Sequence, residues 1–281
     1  MSENHYDLLA VCVDGETKTG KGAAGKAIAA ALKDKGLRVY YDVAGDFFRR
    51  YVALVRLQLG LEESDILPTG DVLESAAKAV LASRKPFEKN EELGDLQRPA
   101  ISQSVAILSE LPLVQQAGAE WWAITLQLAT EAGADAVVLD GRNPRNRVSD
   151  ASAKTGIDVQ IILDLFMTCE SVEAARRTLK LEGNASPTAE QLETATKKVD
   201  QRRGKDRQRS EQPFLLPVYT INYDPEHLAA DEAILRSWQH ANAKVELPTA
   251  IKIDNTHFGE LEMLAAVKEL AIASVEYSKK Q

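Results

Sequence analysis

The chain sets short, continuous apolar runs between longer stretches that are amphipathic or rich in alanine. Leu8, Leu9, Ala10, Val11, Cys12 and Val13 make one such run, and it stops at Asp14 and Gly15. A run this short, closed by a turn pair, predicts a buried parallel strand, because a strand covered on both faces has no need of polar alternate positions. Residues 21 to about 33 then set Ile28 and Leu32 one turn apart among alanines and stop at Gly36, which predicts a helix with a glycine just past its end. Residues 37–43, with Val39, Tyr40 and Tyr41, read as the next strand. Strand, helix and strand in that order make a βαβ unit with a right-handed crossover.

The theme returns at Ala136, Val137, Val138 and Leu139, which end in Asp140 and Gly141, and again over residues 159–166. A last run, residues 250–254, precedes a closing helix from 260 to about 274. Four or five such strands with helices between them predict an α/β fold, a three-layer parallel sheet. Residues 62–130 interrupt this order with helical patterns, including 71–84 and the stretch through Trp121 and Trp122. They read either as a substrate-binding helical insert or as a plain bundle packed on the sheet. Residues 187–211 are polar and charged with no apolar face after Val199, and residues 219–248 show no clear period. The expected organisation is a core of residues 1–61, 131–214 and 249–281, an insert at 62–130, and an appended element of unknown role at 215–248.

Composition narrows the partners. With 281 residues, 44% of them apolar, the chain can bury a full α/β core as one domain with inserts. A net charge of −8 gives no global field for a nucleic-acid backbone, so a phosphate ligand must be met by a local cluster of Arg and Lys. Cys12 and Cys169 lie in or beside apolar runs and read as core thiols, being too few for a disulfide framework. The polar, acidic start and the shortness of the first apolar run predict a cytoplasmic protein without a membrane partner, the net charge predicts no nucleic-acid partner, and a monomer is expected.

The chemistry begins at Gly15, Glu16, Thr17, Lys18, Thr19, Gly20, Lys21 and Gly22: two glycines five apart, followed at once by lysine. This is the spacing of a Walker A phosphate loop. Glycine lets backbone N–H groups turn inward around phosphates, and a flexible lysine reaches the β/γ oxygens. The motif follows a predicted strand and opens a predicted helix, as its mechanism requires. Where a hydroxyl would hold Mg²⁺ stand Gly22 and then Ala23, so the metal falls to waters and carboxylates. Asp14 and Asp140 are candidates, or else strand-end turn residues.

Taken with Asp140-Gly141-Arg142 and the basic run at 202–209, this loop resembles that of the bacterial cytidylate kinases, which have the nucleoside monophosphate kinase fold. The family loop reads I-D-G-P-x-G-x-G-K-G-T/S; here Glu16 stands for the proline and Ala23 for the hydroxyl residue. The family's D-S/T-G-x-x-Y-R string resembles residues 42–49, with Gly45 and Arg49 in place, Ala44 for the hydroxyl residue and Phe48 for the tyrosine. The resemblance implies that Arg49 binds the acceptor monophosphate, the alternative being a solvated helix residue beside Arg50. An R-S/T-x-x-V-S/T pattern is approached by residues 96–102, which implies acceptor contacts for Arg98 and Ser102; a polar loop with a helix cap near Ser102 fits equally. The family's D-G-R-D-x-G-T becomes residues 140–146, with Arg142 matching and Asn143 in place of an aspartate that reads sugar and cytosine. The lid string E-R-D-x-R-D-x-x-R resembles residues 201–209, within a lid of about 182–213.

Residues 202–209 hold five cations and one acid, and phosphoryl transfer needs cations over the equatorial oxygens. The resemblance therefore implies that Arg202 and Arg209 contact the transition state, that Asp206 orients one of them or meets the counter-ions of the acceptor phosphate, and that Lys21 bridges the ATP phosphates carried by residues 15–23. The implied activity is transfer of the γ-phosphoryl group of ATP, with Mg²⁺, to CMP or dCMP. An acceptor phosphate is already a nucleophile, so no base is expected among His5, His227, His240 and His257, which read as surface residues. Two alternatives stay open: a P-loop kinase for another small acceptor, and a nucleotide-binding protein that has lost catalysis.

Overall fold

The computed structural model describes residues 6–88, 93–96, 98–209, 219–221, 250–257 and 259–279; the side chains of Pro99 and of residues 205–209 and 219–221 lie outside that description. The first run forms β1 (Leu8–Gly15), followed by α1 (Lys21–Asp34), β2 (Val39–Val43) and α2 (Ala44–Gln58). The helical stretch contains α3 (Asp71–Ala82), a 3-10 turn (Lys85–Phe87), α4 (Pro99–Leu108) and α5 (Pro112–Glu131). The core resumes with β3 (Ala136–Asp140), α6 (Pro144–Thr155), β4 (Val159–Thr168), α7 (Ser171–Leu181) and α8 (Ala189–Arg209), and closes with β5 (Tyr219–Ile221), β6 (Ile251–Asp254) and α9 (Glu260–Ser278).

Six parallel strands form one sheet in the order β2-β3-β1-β4-β6-β5. Along β1, Leu8, Ala10 and Cys12 face one core and Val11 and Val13 the other; β3 divides likewise, with Val137 and Leu139 against Ala136 and Val138. Burial on both faces is why these runs carry no polar alternation. α1 and α9 cover one face, and α2, α5 and α6 with the rest of the helical stretch cover the other. Cys12 and Cys169 are buried free thiols.

The chain leaves β1 toward β3 and β2 on one side and toward β4, β6 and β5 on the other. A crevice opens at such a reversal, beyond the carboxyl ends of the strands, and it is the natural ligand position in an open α/β sheet. The sheet extends one strand beyond the four or five expected. Tyr219–Ile221, in the segment without a clear period, pairs with β6 as an edge strand, Tyr219 opposite Ile251. The polar segment after Pro187 is largely one helix: Leu192, Ala195 and Val199 recur on one face of α8 and pack on Ala174 and Ala175 of α7, and the helix runs on to Arg209. Residues 215–218 and 222–248 of the appended segment lie outside the described residues.

The helical stretch shares its core with the sheet. Phe47 of α2 is fully buried and meets Phe48, Tyr51, Phe87 and Trp121 at ring-centroid distances of 5.2–6.0 Å. Phe48 fills the space beside Gly118, where a Cβ would lie 2.9 Å from its ring. Among the described residues no helix is long and apolar enough to cross a membrane.

Candidate active site

The phosphate loop connects β1 to α1 at the crevice. Gly15 has φ +144, and a Cβ there would sit 2.2 Å from the Met167 carbonyl oxygen, so only glycine lets the loop leave the sheet against β4. Lys18 (φ 61) and Gly20 (φ 86) are left-handed, the curled backbone from which a ring of N–H groups is made. The loop is braced from within: the Thr19 hydroxyl donates to the Glu16 carbonyl at 2.9 Å, and the Asn255 side-chain amide donates to the Thr19 carbonyl at 2.6 Å. Lys21 Nζ donates to the carbonyls of Gly15 (2.9 Å) and Glu16 (2.8 Å), which holds the ammonium over the loop. Burial, then the positive charge of Arg142, pushes Lys21 down to about 8 against the pull of Asp140 and Asp14. A phosphate would replace these carbonyls with full negative charge, so this cation is poised to bind anions.

Strand ends supply the rest. Arg142, just past β3, donates to the Gly15 carbonyl at 2.6 Å. Asn143 takes the left-handed φ of 49 that asparagine tolerates better than most residues, and its backbone N–H donates to Asp14 Oδ2 at 3.0 Å while Gly15 N–H donates to Asp14 Oδ1 at 2.6 Å. Both Asp14 oxygens are thus committed to backbone. Asp140 sits beside Lys21 and is raised by burial to about 6; its carboxylate lies 3.6 Å from where a Gly22 Cβ would stand. At the head of α2, Arg49 pairs with Asp46 at 2.8 Å, and Gly45 leaves room for its guanidinium, since a Cβ would come within 3.0 Å of it. Arg50 points the other way and is 5% exposed, donating to the Pro86 carbonyl.

Arg202 of α8 completes the group. With Thr17, Lys18, Leu179, Lys198 and Val199 it lines a cavity of about 430 Å³ between the loop and the α7–α8 hairpin. Burial, and then its positive charge, lowers Lys18, and it also contributes to the field at Lys21. Lys18, Lys21, Arg49, Arg142 and Arg202 therefore share one electrostatic neighbourhood with Asp14, Asp46, Asp140 and Glu182. Cations clustered at a glycine-rich loop favour a polyphosphate ligand.

Not every expected residue joins it. Arg98 is the residue before α4; it donates to the Asp95 carbonyl and pairs with Glu63 at 3.4 Å, contacts internal to the helical stretch. Ser102 is exposed on α4, and the helix starts earlier than a cap at Ser102 would allow, because Pro99 takes its first turn. The backbone of α8 carries Asp206 and Arg209, but their side chains lie outside the described residues. His257 is exposed, and His5, His227 and His240 are outside the description. Ala23 is half-buried at the head of α1. No group of three or more His, Cys, Asp or Glu among the described residues could hold a metal by itself. The surroundings suit a cation that comes with its nucleotide, and of the two candidate carboxylates Asp140 is the one not committed to backbone amides.

Three arginines to which sequence reasoning assigns no individual role brace the site. Arg145 at the start of α6 pairs with Asp164 of β4 at 3.3 Å, with side chains 6% and 5% exposed. Arg177 of α7 donates to Asn255 Oδ1 at 3.1 Å and to its carbonyl at 2.8 Å, linking α7 through Asn255 to the phosphate loop. Arg203 pairs with Glu16 at 2.9 Å, with side chains 7% and 8% exposed.

A Walker-type loop at the reversal of a parallel sheet, with lysine and arginines gathered over it, defines a P-loop nucleotide kinase of the α/β class. Comparison with known proteins makes this specific. Residues 11–242 match the cytidylate kinase family, so the chain belongs to that family and is an ATP-dependent phosphotransferase acting on a nucleoside monophosphate. It is 24% identical over 243 residues to the cytidylate kinase of Caldanaerobacter subterraneus subsp. tengcongensis, a match that covers 84% of this chain and 97% of that protein.

Proposed function

We propose that the protein transfers the γ-phosphoryl group of ATP to CMP or dCMP, giving the nucleoside diphosphate and ADP. The observation that carries phosphoryl transfer is Lys21 and Arg142 anchored on the phosphate-loop backbone with Arg202 lining the cavity beside Thr17 and Lys18, while the cytidine acceptor rests on the family match. In the reaction an oxygen of the acceptor phosphate forms a new bond to the γ-phosphorus, and the bond from that phosphorus to the β,γ-bridging oxygen breaks. No proton need be removed, so positioning and charge neutralisation supply the rate.

Residues 15–23 carry the β- and γ-phosphates, and Lys21 leaves the Gly15 and Glu16 carbonyls to bridge them. Arg49, with Gly45, takes the acceptor phosphate from the head of α2. Arg142 and Asn143 stand at the end of β3, where the resemblance implies sugar and base contacts, and Arg98 and Ser102 are assigned to the acceptor on the resemblance alone. Arg202, with Arg209 and Asp206 further along α8, neutralises the transferring group. Mg²⁺ bound with ATP would add charge neutralisation between the β- and γ-oxygens, and Asp140 is the carboxylate that would hold its waters.

The test is ADP formation from ATP and Mg²⁺ with CMP, dCMP, UMP, AMP and GMP in parallel. Turnover confined to the cytidine nucleotides supports the assignment, and preference for another monophosphate overturns it while leaving the family intact. Lys21→Ala should abolish transfer in a folded protein.

A further inference from the structure

Arg203 lies in the basic run expected to face phosphates, yet it turns away from the cavity. Its Nη1 meets Glu16 Oε2 at 2.9 Å, the Cys169 carbonyl at 2.9 Å and Ser171 Oγ at 3.0 Å. Nη2 lies 3.6 Å from Cys169 Sγ. One buried guanidinium therefore joins the phosphate loop, the exit of β4, the start of α7 and the body of α8. Ser171 also donates to Asp200, one turn earlier on α8, which reinforces the seam.

A buried ion pair is a poor way to gain net stability, because desolvating both charges offsets their attraction; its better-attested use is to fix register. Here the register matters, since the preceding residue is Arg202. Neighbouring residues on a helix point about 100° apart. Clamping Arg203 into the seam therefore fixes the direction in which Arg202 leaves α8, toward Lys18 and the cavity. Glu16 is equally well placed, because its own carbonyl accepts from both Lys21 Nζ and Thr19 Oγ1. The two positions are also ones where this chain departs from the pattern it resembles, glutamate for proline and arginine for aspartate. The two departures meet in a single contact.

We propose that Glu16 and Arg203 form a latch between the phosphate loop and α8 that positions Arg202 for phosphoryl transfer, with Arg203 a positioning residue. The proposal rests on the reading that Arg202 serves the transferring group. It predicts that Arg203→Met lowers kcat on the order of 10- to 100-fold while the KM values for ATP and acceptor move less than about threefold, as expected when a transition-state contact is misplaced. Arg203→Lys, which keeps a charge for Glu16 but loses the fork, should recover part of that loss. In an Arg202→Ala background, Arg203→Met should cost less than about twofold further, since its effect runs through Arg202. An undiminished loss in that background, or full kcat in Arg203→Met alone, overturns the proposal.

A second readout needs no turnover. In the ligand-free protein, amide exchange over residues 199–204 should accelerate in both Glu16→Gln and Arg203→Met, and unchanged exchange overturns the latch. Should Arg203→Met fail to fold, Glu16→Gln removes the charge at constant shape and carries both tests. Absence of phosphoryl transfer in the wild-type protein would overturn the proposed function, and the exchange experiment would still decide the latch.

Discussion

Lys21 offers a quantitative test in the pH dependence of ATP binding. In the ligand-free protein its ammonium is lowered to about 8 by burial and by Arg142. Bound phosphates supply negative charge in its place and must raise it again, so above about 8 binding takes up a proton. With the free-state group titrating alone, the dissociation constant scales as one plus ten to the power of the pH less 8. It then rises by a factor of roughly 10 between pH 7 and pH 9, or about 1.4 kcal/mol. The sign is fixed: the cation is needed for binding, and it is present below about 8 and lost above. Asp140, raised to about 6, is largely ionised throughout this window. Titration calorimetry of Mg·ATP without acceptor, between pH 7 and 9.5 and in buffers of different ionisation enthalpy, reads both affinity and proton uptake. Arg does not titrate in this range, so Lys21→Arg should flatten the profile whatever its absolute affinity. A wild-type dissociation constant constant within twofold from pH 7 to 9, or the same slope in Lys21→Arg, would refute the reasoning.

Further expectations follow from other contacts. Arg145→Met leaves Asp164, already raised by burial to about 7, without its partner and should destabilise the protein in urea more at pH 8 than at pH 6, where protonation relieves the charge, whereas Arg145→Met with Asp164→Leu should recover most of the loss. Gly15→Ala drives a Cβ into the Met167 carbonyl and should abolish ATP binding, while Gly36→Ala, at φ +86 with open space around it, should cost only about 1 kcal/mol of stability and leave kcat unchanged. Arg49→Ala should raise the acceptor KM at least tenfold with the ATP KM within about twofold, since a charged hydrogen bond to the acceptor phosphate is worth about 1.5–3 kcal/mol. Steady-state kinetics with each substrate varied in turn reads the split.

Much of the sheet and the loop can be read from the chain, because both are local. A fully buried strand carries its signature in consecutive residues, as at 8–13 and 136–139, and the phosphate loop needs glycine and lysine at fixed spacing within one turn. β5 ends an apolar and β-branched run at residues 214–221 that Pro217 interrupts, a cue the period alone does not show, and pairing with β6 makes it a strand. α8 shows the opposite case. Leu192, Ala195 and Val199 do recur at helical spacing, but dense charge around them dilutes the stripe, and its partner surface on α7 is invisible without the fold.

The arginines divide along the same line. Arg142 sits two residues past β3 and Arg49 near the start of the helix that follows β2, so their position in the fold follows from their position in the sequence. Arg202 and Arg203 are adjacent in one basic run, and composition assigns both to a solvated or phosphate-facing surface. Only the azimuth of the helix sends one to the cavity and the other into a buried pair with Glu16. Arg145 and Asp164 are likewise separated by an entire helix before β4 brings them together. The misplaced cap at Ser102 had a readable cue in Pro99, which favours the first turn of a helix.

The central claim is that this P-loop site moves a phosphoryl group from ATP to a cytidine monophosphate. Its most direct measurement follows ADP and nucleoside diphosphate together in reactions of ATP and Mg²⁺ with each monophosphate separately. The account predicts stoichiometric ADP and CDP or dCDP with CMP or dCMP, dependent on Lys21, and little product with the others. Tight ATP binding with no diphosphate formed from any monophosphate would contradict it.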